Sequence, residues 1–333
     1  MSRVRVLRRP RTASYAGPVP PAVPPDPPEA PLTAGEWRRR ATAHAARADA
    51  LTAGHRARRA RGETHAVEDF LYTYYDTRPA QLRRWHPGAG VALRPDDDGT
   101  PAPHAAWRWY ATTPDGTVTL DPAAFVADRG DTVRFVARLL AATAGRPPFT
   151  GCFGLHEWAM VYRADDRRHP LPLRLGPAGT DAVVEAQPIR CTHYDAFRFF
   201  TPAAVDHNAL QPTRGTQVDL EQPGCLHAGM DLHKWSLKLG PAVPGELALD
   251  CFALAADVRL LDMQASPYDL AAYGEPAVAV ETAAGRAEYA RRQRALADRA
   301  AGLRARLLDV CAALLAGSPP VAAPSPAGRT VGA

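Results

Sequence analysis

The segment "CLHAGMDLHKWSLKLG", residues 225–240, gathers His227, Asp231, His233, Lys234 and Lys238 into one short stretch. Lys234 and Lys238 are the only lysines among 40 basic residues; all the others are arginine. At about 100° per residue of helix, His227, Asp231, Lys234 and Lys238 share one narrow stripe. Leu226, Met230 and Leu237 flank it on one side, and Leu232, Trp235 and Leu239 on the other. A solvent-facing polar face is broader than this, so the stripe fits the wall of a cleft. Asp231 and Lys234 equally fit a surface ion pair at helical spacing. A compact ammonium whose pKa moves readily on burial suits a site better than a rigid guanidinium fork.

A second chemical segment is "GLHEWAMVY", where His156 and Glu157 stand among apolar residues. Burial raises a carboxyl pKa and equips Glu157 as a general acid or base; pairing with an arginine is the structural alternative. Trp158 and Tyr162, four residues apart, suit either stacking on a flat ligand or a place in the core. "HAVED" sets His65 three residues before Glu68. With His227 and Asp231, this makes two His/carboxylate pairs at helical spacing. The metal-ligand pool is therefore His65, Glu68, His156, Glu157, His227 and Asp231. "IRCTHYDAFRFF" interleaves Arg190 and Arg198 with aromatics, a pattern that binds phosphates and stacks bases, or that forms a half-buried strand. Neither GxGxxG nor GxxxxGK[ST] occurs, and "GLHEW" lacks the serine of a nucleophile elbow.

The net charge of +5 is unevenly placed. Residues 1–62 hold 13 arginines against Asp26, Glu29, Glu36 and Asp49, a net of +9; residues 63–333 hold 27 basic and 31 acidic side chains, a net of −4. The basic excess thus belongs to an N-terminal arm able to attract phosphates, while the body is mildly acidic. Five well-separated cysteines without a CxxC pair argue against a disulfide framework or a cysteine-rich zinc site. No apolar signal core and no membrane-length apolar run is visible, so a soluble cytoplasmic protein is expected.

These residues must be positioned by a mainly α, single helical domain over 34–316 with one or two small β-hairpins. A disordered Pro/Arg-rich arm is expected over 1–33 and a disordered tail over 317–333. Thr33 reads as the N-cap of a helix over 36–61. Shorter helices are expected over 66–76 and from Pro79. Asp115-Gly116 in "WRWYATTPDGTVTLD" predicts a hairpin. A helix over 122–145 ends at Gly145-Arg146-Pro147-Pro148. "GCFGLHEWAMVYR" reads as a buried helix entered through glycines. "LPLRLGPAGTDAVVEAQPIR" reads as a second hairpin, and helices are expected over 222–239, 244–263 and 283–315. On the second of these, Glu246, Asp250 and Asp257 form an acidic stripe suited to facing the lysines.

The blocks "VEDFLYTYY", "RPAQLRRWHPG", "GCFGLHEWAMVYR", "LRLGPAGTD", "RCTHYDAFRFFTP", "QPGCLHAGMDLHKW" and "LLDMQASPYDL" together resemble a family of high-GC bacterial proteins commonly labelled 3-methyladenine DNA glycosylase. The resemblance spans roughly residues 34–316. It implies hydrolysis of the N-glycosidic bond of alkylated purines during DNA repair, with DNA as partner and no required cofactor. Flipping a base into a pocket would then use Glu157 or Asp231 to position water, beside His156 and His227. Trp158, Tyr162 and Trp235 would stack on the base, and Lys234, Lys238, Arg190 and Arg198 would hold phosphates. The chain departs from the better-understood alkylated-base glycosylases: it lacks a recognisable helix-hairpin-helix glycine turn followed by a catalytic aspartate, a Cys/His zinc spacing and a helical repeat. A metal-dependent enzyme of helical fold and a non-enzymatic binding protein are the alternative classes.

Overall fold

A computed structural model of the chain describes residues 30–164 and 169–316. Most of the expected arm and the whole tail after 316 lie outside the described residues. The last residues of the arm belong to the fold. Leu32 is buried and bridges to Leu93, and Thr33 closes a capping box with Glu36 that satisfies free N–H groups at the helix start.

The architecture is mainly α, with the long elements close to their sequence positions. Helix α1 spans Ala34–Ala60, α4 Pro122–Ala144, α9 Leu226–Leu239, α10 Gly245–Gln264 and α11 Ala283–Leu315. Between them lie short helices: α2 (Phe70–Tyr74), α3 (Pro79–Arg83), α5 (Leu155–Ala159), α6 (Gly176–Ala186), α7 (Tyr194–Phe197) and α8 (Gln217–Leu220). Strands β1 (Ala92–Leu93), β2 (Tyr110–Thr112) and β3 (Val118–Leu120) form an antiparallel sheet in the order β1-β3-β2. The Asp115-Gly116 hairpin joins β2 to β3, with Gly116 at φ 80 supplying the left-handed turn residue.

Helices α9 and α10 form an antiparallel hairpin through Gly240–Pro244, and the hairpin packs against α11. Its seam is apolar: Met230, Leu232, Leu239, Leu249, Leu254 and Leu261 are all fully buried. The acidic stripe of α10 does not face the lysines. Glu246 bonds Arg40, Asp250 bonds Arg47 and Arg306, and Asp257 bonds Arg299. Arginines of α1 and α11 thus use this stripe to clamp both helices to α10.

Three expectations fail for local reasons. The second hairpin is helix α6 instead: Gly176 at φ 65 and Pro177 start a helix, and Thr180, Val183 and Val184 bury one face at spacing three to four. The helix expected over 66–76 shortens to Phe70–Tyr74, because the His65 ring caps a turn by accepting from the Val67 and Glu68 N–H groups. The aromatic run after Cys191 forms α7 and turns, not a strand. Among the described residues, no helix is long and apolar enough to cross a membrane.

Gly245 opens α10 where a Cβ would meet His44 Cε1 at 2.8 Å and Trp85 Cδ1 at 2.9 Å. Gly245→Ala is expected to destabilise the fold by about 1–3 kcal/mol through overpacking, read as a lowered urea midpoint at unchanged slope. An unchanged midpoint would mean that His44 and Trp85 move aside freely.

Candidate functional site

The antiparallel α9–α10 hairpin brings the first turn of α9 beside the last turn of α10, and α5 packs across this end. His227 from α9, Asp262 from α10 and His156 from α5 converge there. His156 Nε2 lies 2.8 Å from Asp262 Oδ1, and His227 Nε2 lies 3.9 Å from Oδ2 of the same carboxylate. The two rings meet edge to face at 4.5 Å. One potential ligand atom from each of the three residues falls within 4.8 Å of the others.

The surroundings fix this triad. Arg259, one turn before Asp262, reaches Asp262 Oδ2 at 3.3 Å and Glu157 Oε1 at 2.9 Å. Cys152 Sγ lies 3.5 Å from His156 Nδ1, so the remote nitrogen of that ring also has a partner. Asp262 is fully buried. Burial opposes its charge, yet His156, His227 and Arg259 together hold its pKa below the usual carboxylate range. His156 is likewise opposed by burial, and the Asp262 carboxylate more than compensates, raising its pKa well above the ordinary imidazole value. His227, buried beside a charged His156, is lowered to about 3 and is neutral at physiological pH. Burial raises the Glu157 pKa against the pull of Arg259.

A second cluster adjoins the first through the His193–His227 ring contact at 5.4 Å. His193, the N-cap of α7, lies 3.3 Å from Asp231 and 3.4 Å from Glu221. Here Lys234 supplies a fixed cation: its Nζ is 2.5 Å from Asp231 Oδ2 and 3.2 Å from Asp195 Oδ2. Tyr75 donates to the other Asp231 oxygen at 2.7 Å. Burial would raise the Asp231 pKa, but Lys234 and His193 drive it strongly down. The compact ammonium of Lys234 thus sits between two buried carboxylates.

The other sequence candidates divide clearly. Trp158 is fully buried and donates to the Ala265 carbonyl at 2.8 Å; Tyr162 is buried and donates to Glu185 at 2.9 Å. Trp235 is buried between Phe135 and the Lys234 ammonium. All three stacking candidates are therefore core residues. His65 stacks on Tyr273, and Glu68 pairs with Arg58, so neither joins the metal-ligand cluster. Lys238 is exposed at the end of its stripe. Arg198 stacks on Phe199 and pairs with Asp195, while Arg190 lies over Phe149 at the surface. Glu157 and Asp231 are each held in buried ion pairs. Asp262, Arg259, His193 and Glu221 are site residues that sequence patterning does not single out; the one local sign is an aspartate inside the apolar run "LLDMQ".

A narrow pocket reaches the triad, lined by His156, His227, Arg190, Cys152, Cys191 and Cys225 among others. Its volume of about 10 Å³ admits roughly one water. Compared with known protein families, curated proteins and solved structures, the chain gives no match.

Two outcomes follow from this geometry. Arg259→Met removes the guanidinium shared by Glu157 and Asp262 and leaves Glu157 without its cation, and is expected to cost roughly 3–5 kcal/mol of stability in denaturant titration. Histidine NMR is expected to show His227 uncharged from about pH 5 to 8 and His156 still protonated above its reference value of about 6.5. Because the His156 pKa is raised, its stabilising contribution is full below that reference and fades as pH rises through the folded value. The lowered Asp262 contributes above about pH 4 and fades as pH falls towards its folded value. A neutral His156 at pH 7 would contradict this charge assignment.

Proposed function

We propose that the protein is a metal-dependent hydrolytic enzyme whose divalent ion is held by His156, His227 and Asp262. The observation that carries this reading is the convergence of two imidazole Nε2 atoms on the two oxygens of one buried carboxylate, at 2.8 and 3.9 Å. Zinc–nitrogen and zinc–oxygen bonds of about 2.0–2.2 Å at tetrahedral angles separate neighbouring ligand atoms by roughly 3.4 Å. The two observed distances bracket that value. Two histidines and one carboxylate, with a fourth position open, form a recognised catalytic donor set.

The supporting shell has the form expected of such a centre. Arg259 orients Asp262, Cys152 contacts the remote nitrogen of His156, and Glu157 anchors Arg259. A pocket with room for about one water suits a metal-bound nucleophile. Cys152, Cys191 and Cys225 line the same pocket as free thiols, which oxygen-activating chemistry would oxidise. This favours redox-inert zinc and a water-activating reaction in a reducing, cytoplasmic setting. His227 offers a neutral ring ready to ligate, and binding would displace the His156 proton. Arg190 lines the pocket and is the cation available to an anionic substrate group.

The purified chain is expected to bind about one equivalent of zinc by metal analysis after reconstitution. His227→Ala should lose the metal while keeping the helical circular dichroism spectrum, because His227 carries no strong ion pair. His65→Ala should keep both. Zinc retained at full stoichiometry in His227→Ala would remove this reading. Release of 3-methyladenine from alkylated DNA that survives His227→Ala and disappears in Glu157→Gln would favour the glycosylase implied by the family resemblance.

A further inference from the structure

The C-terminal end of α9 borders a second cavity, remote from His227. Leu237, in its wall, lies ten residues along the helix from His227, a rise of about 15 Å. The cavity is bordered by α3, the start of α10 and the residues leading into β2, opens to solvent, and has a volume of about 220 Å³. That is smaller than the roughly 300–1,000 Å³ of pockets for drug-sized ligands, and it suits one fused ring system with a short arm.

The chemistry of the lining is polarised. Trp107, Trp109 and His86 supply ring faces and edges. Arg84 lies over the Trp107 ring at 5.3 Å and Arg108 over the Trp109 ring at 4.4 Å. Asp128 neutralises Arg108 and also accepts from Trp109 Nε1. Arg84 makes no ion pair among the described residues, and no carboxylate lines the cavity. Trp109 holds φ 65, a left-handed backbone that a bulky residue adopts only under constraint from its surroundings.

The inner wall offers acceptors. His44 is 4% exposed, and its Nε2 lies 2.8 Å from the Leu82 carbonyl. A carbonyl only accepts, so Nε2 carries the proton and Nδ1 presents a lone pair. That Nδ1 has no hydrogen-bond partner and is packed beside Gly245, out of reach of a ligand, although buried polar atoms are nearly always paired. Ser236, Leu237 and Gly240 bring the C-terminal end of α9 to the same cavity, where helix carbonyls lack intrahelical donors.

We propose that this cavity binds a small planar heteroaromatic acid. A ring N–H or ring amino group would donate to the α9 carbonyls, the ring would pack against Trp107 and Trp109, and the acidic group would meet Arg84. The distance from His156, His227 and Asp262 makes this a second ligand site, separate from the proposed metal centre.

Titration calorimetry on the full chain tests the assignment with two acids and their neutral parents: indole-3-acetate against indole, and adenosine monophosphate against adenosine. At least one acid is expected to bind, with its parent weaker by about tenfold or more for loss of the charge-assisted contact. The tighter acid identifies the group as carboxylate or phosphate. Arg84→Ala should reduce the acid to the affinity of its parent. Trp107→Leu, at a half-buried position, should abolish binding without lowering the melting temperature, and neither variant should alter zinc content. No binding of either acid up to roughly 1 mM, or an affinity unchanged in both variants, would overturn the proposal.

Discussion

The interior at the end of the α9–α10 hairpin depends on one carboxylate, that of Asp262. It is fully buried, and an isolated charge in that position would be prohibitive. His156 answers it from α5, Arg259 from its own helix and His227 from α9. Three separate elements are thereby held to one point. Arg259 passes the constraint on to Glu157, so α5 is fixed to α10 at two successive residues. The same electrostatics that hold the helices together also bring the two imidazoles onto one carboxylate.

Asp231, a single turn further along α9, has a parallel role with a different outcome. Its cation is the covalently attached ammonium of Lys234, shared with Asp195, and Tyr75 and His193 complete its shell. A protein cation sits between Asp231 and Asp195, and the cluster ties α7, α8 and α2 to α9. The neighbouring triad differs in having a neutral histidine, His227, as one of its members. That difference is the ground for proposing a bound ion at the triad and not at this cluster.

The two cavities sit at opposite ends of α9. One is narrow and lined by thiols and imidazoles; the other is wider and aromatic, with Arg84 beside it. The helix is buried along most of its length against α10 and α11, which makes it a rigid spacer between the two. The proposed metal centre at the His227 end and the proposed ligand site at the Leu237 end are therefore held at a fixed separation.

Local patterning is enough to locate the long helices and the Asp115-Gly116 hairpin. Capping signals, proline and glycine stops and 3.6-residue spacing act over a few residues and leave direct marks in the chain. Region 171–190 misleads because apolar and polar residues alternate there as they would in a strand, and only packing of Thr180, Val183 and Val184 against the core selects the helix. His156, Glu157, His227, Asp231 and Lys234 are conspicuous as ionisable groups in apolar settings, and the structure does place them in or beside two buried clusters. Which groups they meet is not legible. Asp262 lies 106 residues from His156, and Arg259 lies 102 from Glu157. Pairing over such separations comes from helix packing, and nothing in local spacing records it. The sequence by itself located the long helices and marked which side chains would be costly to bury. Tertiary structure alone decided which buried charges neutralise each other, because that depends on distances between helices remote in the chain.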